Sequence, residues 1–191
     1  MIAHHWGTTA AERALEFPGD RDEDAGADRL WRAVDVAASH EIVFRWLCQL
    51  RVAPYSYDWI DNRGRQSPRS LDPDLAKLAR GQRFMQIFEL EDFEPGVQVT
   101  LVTPVGSKGA RLFGIVRVTY WSRAEGPDRT RLLVKLRVIP ARGVWGRAMR
   151  AFLPWGDLVM MRRQLLNLKD LAEETAAVGG GGAGARGRGY F

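Results

Sequence analysis

Apolar and polar positions along the chain change period several times, and each period predicts an element. Over 29–36 they alternate, with Leu30, Val34 and Val36 on one side and Trp31, Ala33 and Asp35 on the other, the period of a half-buried strand. Ser39 then caps a helix over 40–50, with Ile42, Trp46, Leu47 and Leu50 on one stripe. Further strand-like runs occupy 82–91, 97–103, 110–122 and 130–139. Glu94-Pro95-Gly96, Gly106-Ser107-Lys108-Gly109 and Glu125-Gly126-Pro127-Asp128 punctuate them as antiparallel hairpins. After Val144 the period is that of a helix, with a break at Pro154-Trp155-Gly156 and a long amphipathic helix from 157 to about 177. Leu158, Met161, Leu165, Leu168 and Ala172 form its apolar stripe.

The segments between these runs divide the chain. Residues 1–28 read as an N-terminal arm, with a threonine-capped helix over 9–15 and an acidic run over 20–28. Residues 51–81 are turn-rich and hold a short helix over 57–62 and a capped turn from Asp72 through Leu78. Residues 29–178 form the folded domain, and 179–191 are expected to be a disordered glycine- and arginine-rich tail. The predicted class is α+β: a curved antiparallel sheet wrapped around a long C-terminal helix, with two short helices after the first strand. This is the helix-grip arrangement, and the curvature predicts an apolar cavity between sheet and helix.

Composition narrows the function. A chain of 191 residues with 46% hydrophobic and 27% charged residues is long enough for one buried core and too apolar for whole-chain disorder. No window approaches the roughly 18 apolar residues of a membrane span, and the first 16 residues lack a secretory pattern. The single Cys48, in an apolar helix context, permits no intrachain disulfide. A cytoplasmic location is the expectation. The net charge of +5 raises a nucleic-acid role, but the charge is scattered along the chain, which argues against a phosphate-binding patch; the arginine excess, 24 of the 28 basic residues, fits a GC-rich codon composition as readily as phosphate binding. In the last strand-like run Arg131, Lys135 and Arg137 alternate with Leu132, Val134, Leu136 and Val138, so the basic row is expected on a solvated outer face.

Some segments also resemble a known family. The segment 32–47, running through Asp35, Ser39, His40 and Trp46, looks like the opening strand and first helix of the START-like, polyketide cyclase/dehydrase-type (SRPBCC) superfamily. His5-Trp6-Gly7-Thr8-Thr9 with Phe17-Pro18-Gly19-Asp20, and Tyr55-Ser56-Tyr57-Asp58-Trp59-Ile60-Asp61-Asn62, are similar to a bacterial subgroup of it. The resemblance covers roughly 4–175. It departs at Arg51-Val52-Ala53-Pro54, where many relatives carry a glycine-rich approach. It implies the helix-grip fold and a hydrophobic small-molecule ligand such as a lipid, polyketide or aromatic metabolite.

Candidate chemistry concentrates in that last segment. Asp58 in a water-poor cavity would have a raised pKa and move a proton in an aldol-type cyclisation or dehydration, with Tyr57 or Tyr55 holding the substrate oxygen. The competing reading makes Asp58 a helix cap and the aromatics core. Trp59, Met85, Gln86, Arg117, Trp155 and Met161 are the further candidates for ligand contact: Gln86 as a polar group between Phe84 and Phe88, and Trp155 and Met161 as cavity wall at the start of the long helix. His4, His5 and His40 sit at no metal-ligand spacing, and no nucleophile elbow or phosphate loop occurs, so neither metal nor cofactor is expected. Three functions follow: a carrier of a hydrophobic small molecule, a cyclase or dehydratase using Asp58, and an interaction protein whose basic surface meets an acidic partner.

Overall fold

The computed structural model describes residues 1–20, 27–57, 59, 64–140 and 143–183. Two short helices open the chain, α1 (Ile2–His5) and α2 (Ala10–Arg13). Strand β1 (Asp28–Val36) and helix α3 (His40–Cys48) follow, and α3 tightens into a 3₁₀ turn over Gln49–Arg51. A second 3₁₀ turn, Pro73–Ala76, begins at Asp72, whose carboxylate accepts the Asp74 N–H. Then come β2 (Arg83–Phe84), β3 (Phe88–Glu94), β4 (Gln98–Val102), helix α4 (Lys108–Phe113), β5 (Ile115–Gly126), β6 (Arg129–Ile139) and the long helix α5 (Gly143–Ala183).

All strand pairs are antiparallel, and the six strands run in the order β1-β6-β5-β4-β3-β2. The curved sheet holds α5 against its inner face, which is the helix-grip architecture. Period two sends Leu30, Val34, Val36, Val116, Val118, Tyr120, Leu132, Val134, Leu136 and Val138 inward. There they meet Trp46, Leu47 and Leu50 beside α3, and Met161, Leu165, Leu168 and Ala172 of α5, in one continuous core. Cys48 lies within it, and burial pushes its thiol up to about 12.

The outer face is covered rather than solvated. Arg131, Lys135 and Arg137 are buried, because residues 7–20 lie across them. Arg131 holds Glu12 through two hydrogen bonds of 2.7 and 3.1 Å, and Asp20 receives Lys135 at 2.8 Å and Arg137 at 2.7 Å. Phe17 packs edge-on to Trp121 at 5.4 Å. A Cβ on Gly19 would lie 2.4 Å from the Thr119 hydroxyl, so only glycine lets the arm approach this closely. The basic row is therefore the anchor of the N-terminal arm and not a free cationic surface. The expectation failed because its partners sit more than 100 residues away in sequence.

Four element boundaries also differ from the pattern. The run 82–91 is a tight hairpin: Met85 and Gln86 take φ of 45° and 64°, and Phe84 and Phe88 become cross-strand partners. Within 110–122 the first residues belong to α4, which Ser107 caps by accepting the Ala110 N–H at 3.1 Å and Gly114 ends at φ 86°. Helix α5 passes through Pro154 instead of breaking there. Arg32 reaches across from β1 to the Pro154 carbonyl at 3.3 Å and to Asp157 at 2.7 Å, anchoring the turn that begins at the proline to the sheet. The same helix continues to Ala183, past the predicted end at 177 and into the segment expected to be disordered, and nothing in the structure explains this.

Candidate functional site

The site is built where the connector after α3 meets the middle of α5. Gln164 and Asn167 lie three residues apart on α5, so both side chains point the same way. Gln164 donates to the Pro54 carbonyl at 2.6 Å and Asn167 to the Tyr55 carbonyl at 2.8 Å. These two amides fix successive peptide units and hold Tyr55 at φ 55°, a conformation uncommon for a bulky residue. The Tyr55 ring is buried edge-on against Trp46 at 6.0 Å.

An open cleft of about 470 Å³ lies on the solvent side of this clamp. Among the described residues, Tyr55, Ser56, Tyr57 and Trp59 form one wall, Gln66, Ser67 and Arg69 a second, and Arg163, Asn167, Asp170, Leu171 and Glu174 of α5 the third. Arg69 grips both carboxylate oxygens of Glu174 at 3.0 Å, joining two walls at the rim. Trp59 is 76% exposed, so its ring is available to a guest. The lining thus combines aromatic faces with hydrogen-bonding groups of both charges.

The space between sheet and helix has a different character from the apolar cavity expected there. The buried Tyr120 hydroxyl donates to Gln164 Oε1 at 2.7 Å and lies 3.7 Å from the Met161 sulfur. Burial raises the Tyr120 pKa above its usual range. Nearby, Arg32 and Asp157 form an ion pair whose guanidinium is fully buried. Desolvation raises the Asp157 carboxyl to about 6, although Arg32 pulls the other way. A hollow of about 10 Å³ near Leu30, Phe113, Val138 and Leu153 has room for no more than one water. The roomy site is bounded by the connector and α5, and no strand residue appears in its described lining.

The structure brings together Tyr55, Tyr57 and Trp59 and separates the other candidates from them. Asp58 lies outside the described residues. Met85 sits behind the connector, its sulfur 3.2 Å from Gln164 Nε2. Gln86 is exposed at the hairpin tip, and Arg117 is on the outer face, paired with Glu91 at 2.9 Å. Trp155 is exposed on α5, and Met161 is buried in the core. The sequence reading missed Arg163, Gln164, Asn167 and Asp170, which lie beside the apolar stripe it followed. It also missed Arg32, although strict alternation between Leu30 and Val34 already turns that residue inward. Among the described residues, no group of three His, Cys, Asp or Glu side chains stands close enough to hold a metal ion.

No protein-family model and no curated protein matches the chain. Among solved structures, a hypothetical protein from Helicobacter pylori matches with 16% identity, covering 83% of this chain and 96% of its own, at a TM-score of 0.53. A protein from Chromobacterium violaceum matches with 12% identity over 76% of this chain and 97% of its own, at a TM-score of 0.48. An aromatase/cyclase from a Streptomyces species matches with 12% identity over 78% and 93%, at a TM-score of 0.44. At these identities the likeness is one of fold. The chain has a helix-grip fold.

Proposed function

We propose that this helix-grip protein binds an aromatic, oxygen-bearing small molecule, of the kind polyketides provide, in the cleft between the connector after α3 and α5. The observation that carries the reading is the lining: Tyr57 and Trp59 share a cleft of about 470 Å³ with Arg163, Asn167 and Asp170 of α5. That volume falls within the range of small-molecule sites. A lipid chain would leave these polar groups without partners, whereas a flat hydroxylated ring stacks on the aromatics and hydrogen-bonds to the helix. The cyclase alternative turns on Asp58, outside the described residues, so binding is the function the geometry supports best.

Titration calorimetry with the hydroxylated anthraquinone alizarin tests this. Saturable binding is expected, weakened about tenfold by Trp59→Ala through the loss of one stacking partner. Absence of binding, or equal affinity in the variant, would overturn the reading.

A further inference from the structure

The first half of α5 is apolar on two opposite sides. Met149, Leu153 and Pro154 turn toward Leu30, Phe113 and Val138. On the other side Trp145, Phe152, Trp155 and Val159 are exposed by 52%, 71%, 53% and 53%. Their spacings of seven, three and four residues line them up along one stripe of the helix. A solvated helix face carries polar groups there, so a continuous apolar stripe marks a contact surface.

Charge identifies the contact. Arg147 and Arg162 are exposed beside the stripe. The Trp145 indole donates to the Leu112 carbonyl at 3.0 Å, which brings α4, with exposed Lys108, Arg111 and Leu112, against the start of the stripe. Over 143–169 the sequence holds one carboxylate, Asp157, and it is turned inward onto Arg32. Asp28, at the start of β1, is engaged by Arg150 at 2.6 Å, so neither of these two enters the balance. The result is an aromatic strip fringed by cations.

We propose that this strip docks the protein on an anionic lipid surface, with Trp145, Phe152, Trp155 and Val159 entering the headgroup region and the arginines and lysine meeting lipid phosphates. Tryptophan suits that depth because its ring is apolar and its N–H is polar. The arrangement is that of an interfacial amphipathic helix, and each added cation strengthens attraction to anionic lipid. A second copy of the chain is the poorer occupant, since two cationic strips on molecules of net charge +5 repel. Among the described residues no helix is long and apolar enough to cross a membrane, so the contact is with its surface. The cleft lies further along α5, from Arg163 onward, and the docking does not depend on its ligand.

Co-sedimentation of the full chain with vesicles provides the test. Binding to vesicles of equimolar phosphatidylcholine and phosphatidylglycerol is expected to exceed binding to phosphatidylcholine alone by at least about tenfold and to fall with added salt. The double substitution Phe152→Ser with Val159→Ser is expected to weaken it about tenfold. Both residues are exposed, and an unchanged circular dichroism spectrum shows that the variant is folded. Equal binding to the two vesicle types, binding to neither, or full binding by the folded variant would overturn the proposal. So would a dimer in sedimentation equilibrium that the same substitutions dissociate, which would assign the strip to a second copy.

Discussion

Tyr120 on β5 and Gln164 on α5 are joined by a hydrogen bond of 2.7 Å in the part of the fold where a curved sheet and a long helix would otherwise leave a hollow. The same glutamine reaches the Pro54 carbonyl with its other end, so one side chain closes the interior and positions the wall of the cleft. The protein thereby shifts its open space from between sheet and helix to between connector and helix.

Two substitutions separate the partners. Tyr120→Phe removes the hydroxyl and leaves the glutamine its bond to Pro54, so it is expected to cost about 1 kcal/mol. Gln164→Leu leaves both the buried hydroxyl and the Pro54 carbonyl unsatisfied and is expected to cost roughly 3 kcal/mol. Urea denaturation measures both. A cost for Gln164→Leu no larger than for Tyr120→Phe would contradict the bridging role.

The buried pair of Arg32 and Asp157 gives a pH dependence of definite sign. The folded carboxyl is raised from 3.8 to about 6, so the native state holds a proton that the unfolded chain releases. This group's contribution is therefore greatest below about pH 4 and falls as pH rises through about 6. The stability difference between wild type and Asp157→Asn is expected to shift against the wild type by roughly 3 kcal/mol over that interval. A difference independent of pH would contradict it.

Glu12 acts in the opposite direction and lower on the scale. The Arg131 hydrogen bonds hold its carboxyl down from 4.5 to about 2, so its contribution is present above about 4.5 and lost as pH falls toward 2. Chemical denaturation of Glu12→Gln over that range is expected to lack the wild-type decline. Identical profiles would show that the pair does not hold the arm.

Asp20 is the stronger anchor. Its removal leaves Lys135 and Arg137 charged, buried and without their carboxylate, and Asp20→Asn is expected to destabilise the fold by roughly 3 to 5 kcal/mol in urea unfolding. A loss below about 1 kcal/mol would mean that solvent replaces the carboxylate freely.

Much of the fold is legible in the sequence because local pattern decides it. Alternation over β1 and β6 and the stripes of α3 and α5 follow from burial of one face. The Met85–Gln86 reversal is hidden because the turn uses two positive-φ residues that are not glycine. The burial of Arg131, Lys135 and Arg137 is hidden because charge alternation alone does not reveal a covering arm. At the site, the cluster of Tyr55, Tyr57 and Trp59 is visible as an aromatic run. Gln164 and Asn167 are not, since their partners are backbone carbonyls that exist only once the connector is folded against α5.

Amide hydrogen exchange with and without alizarin locates the ligand directly. Slower exchange is expected in peptides covering 52–69, with β5 and β6 unchanged. Protection confined to β5 and β6 would place the ligand between sheet and helix and contradict the account.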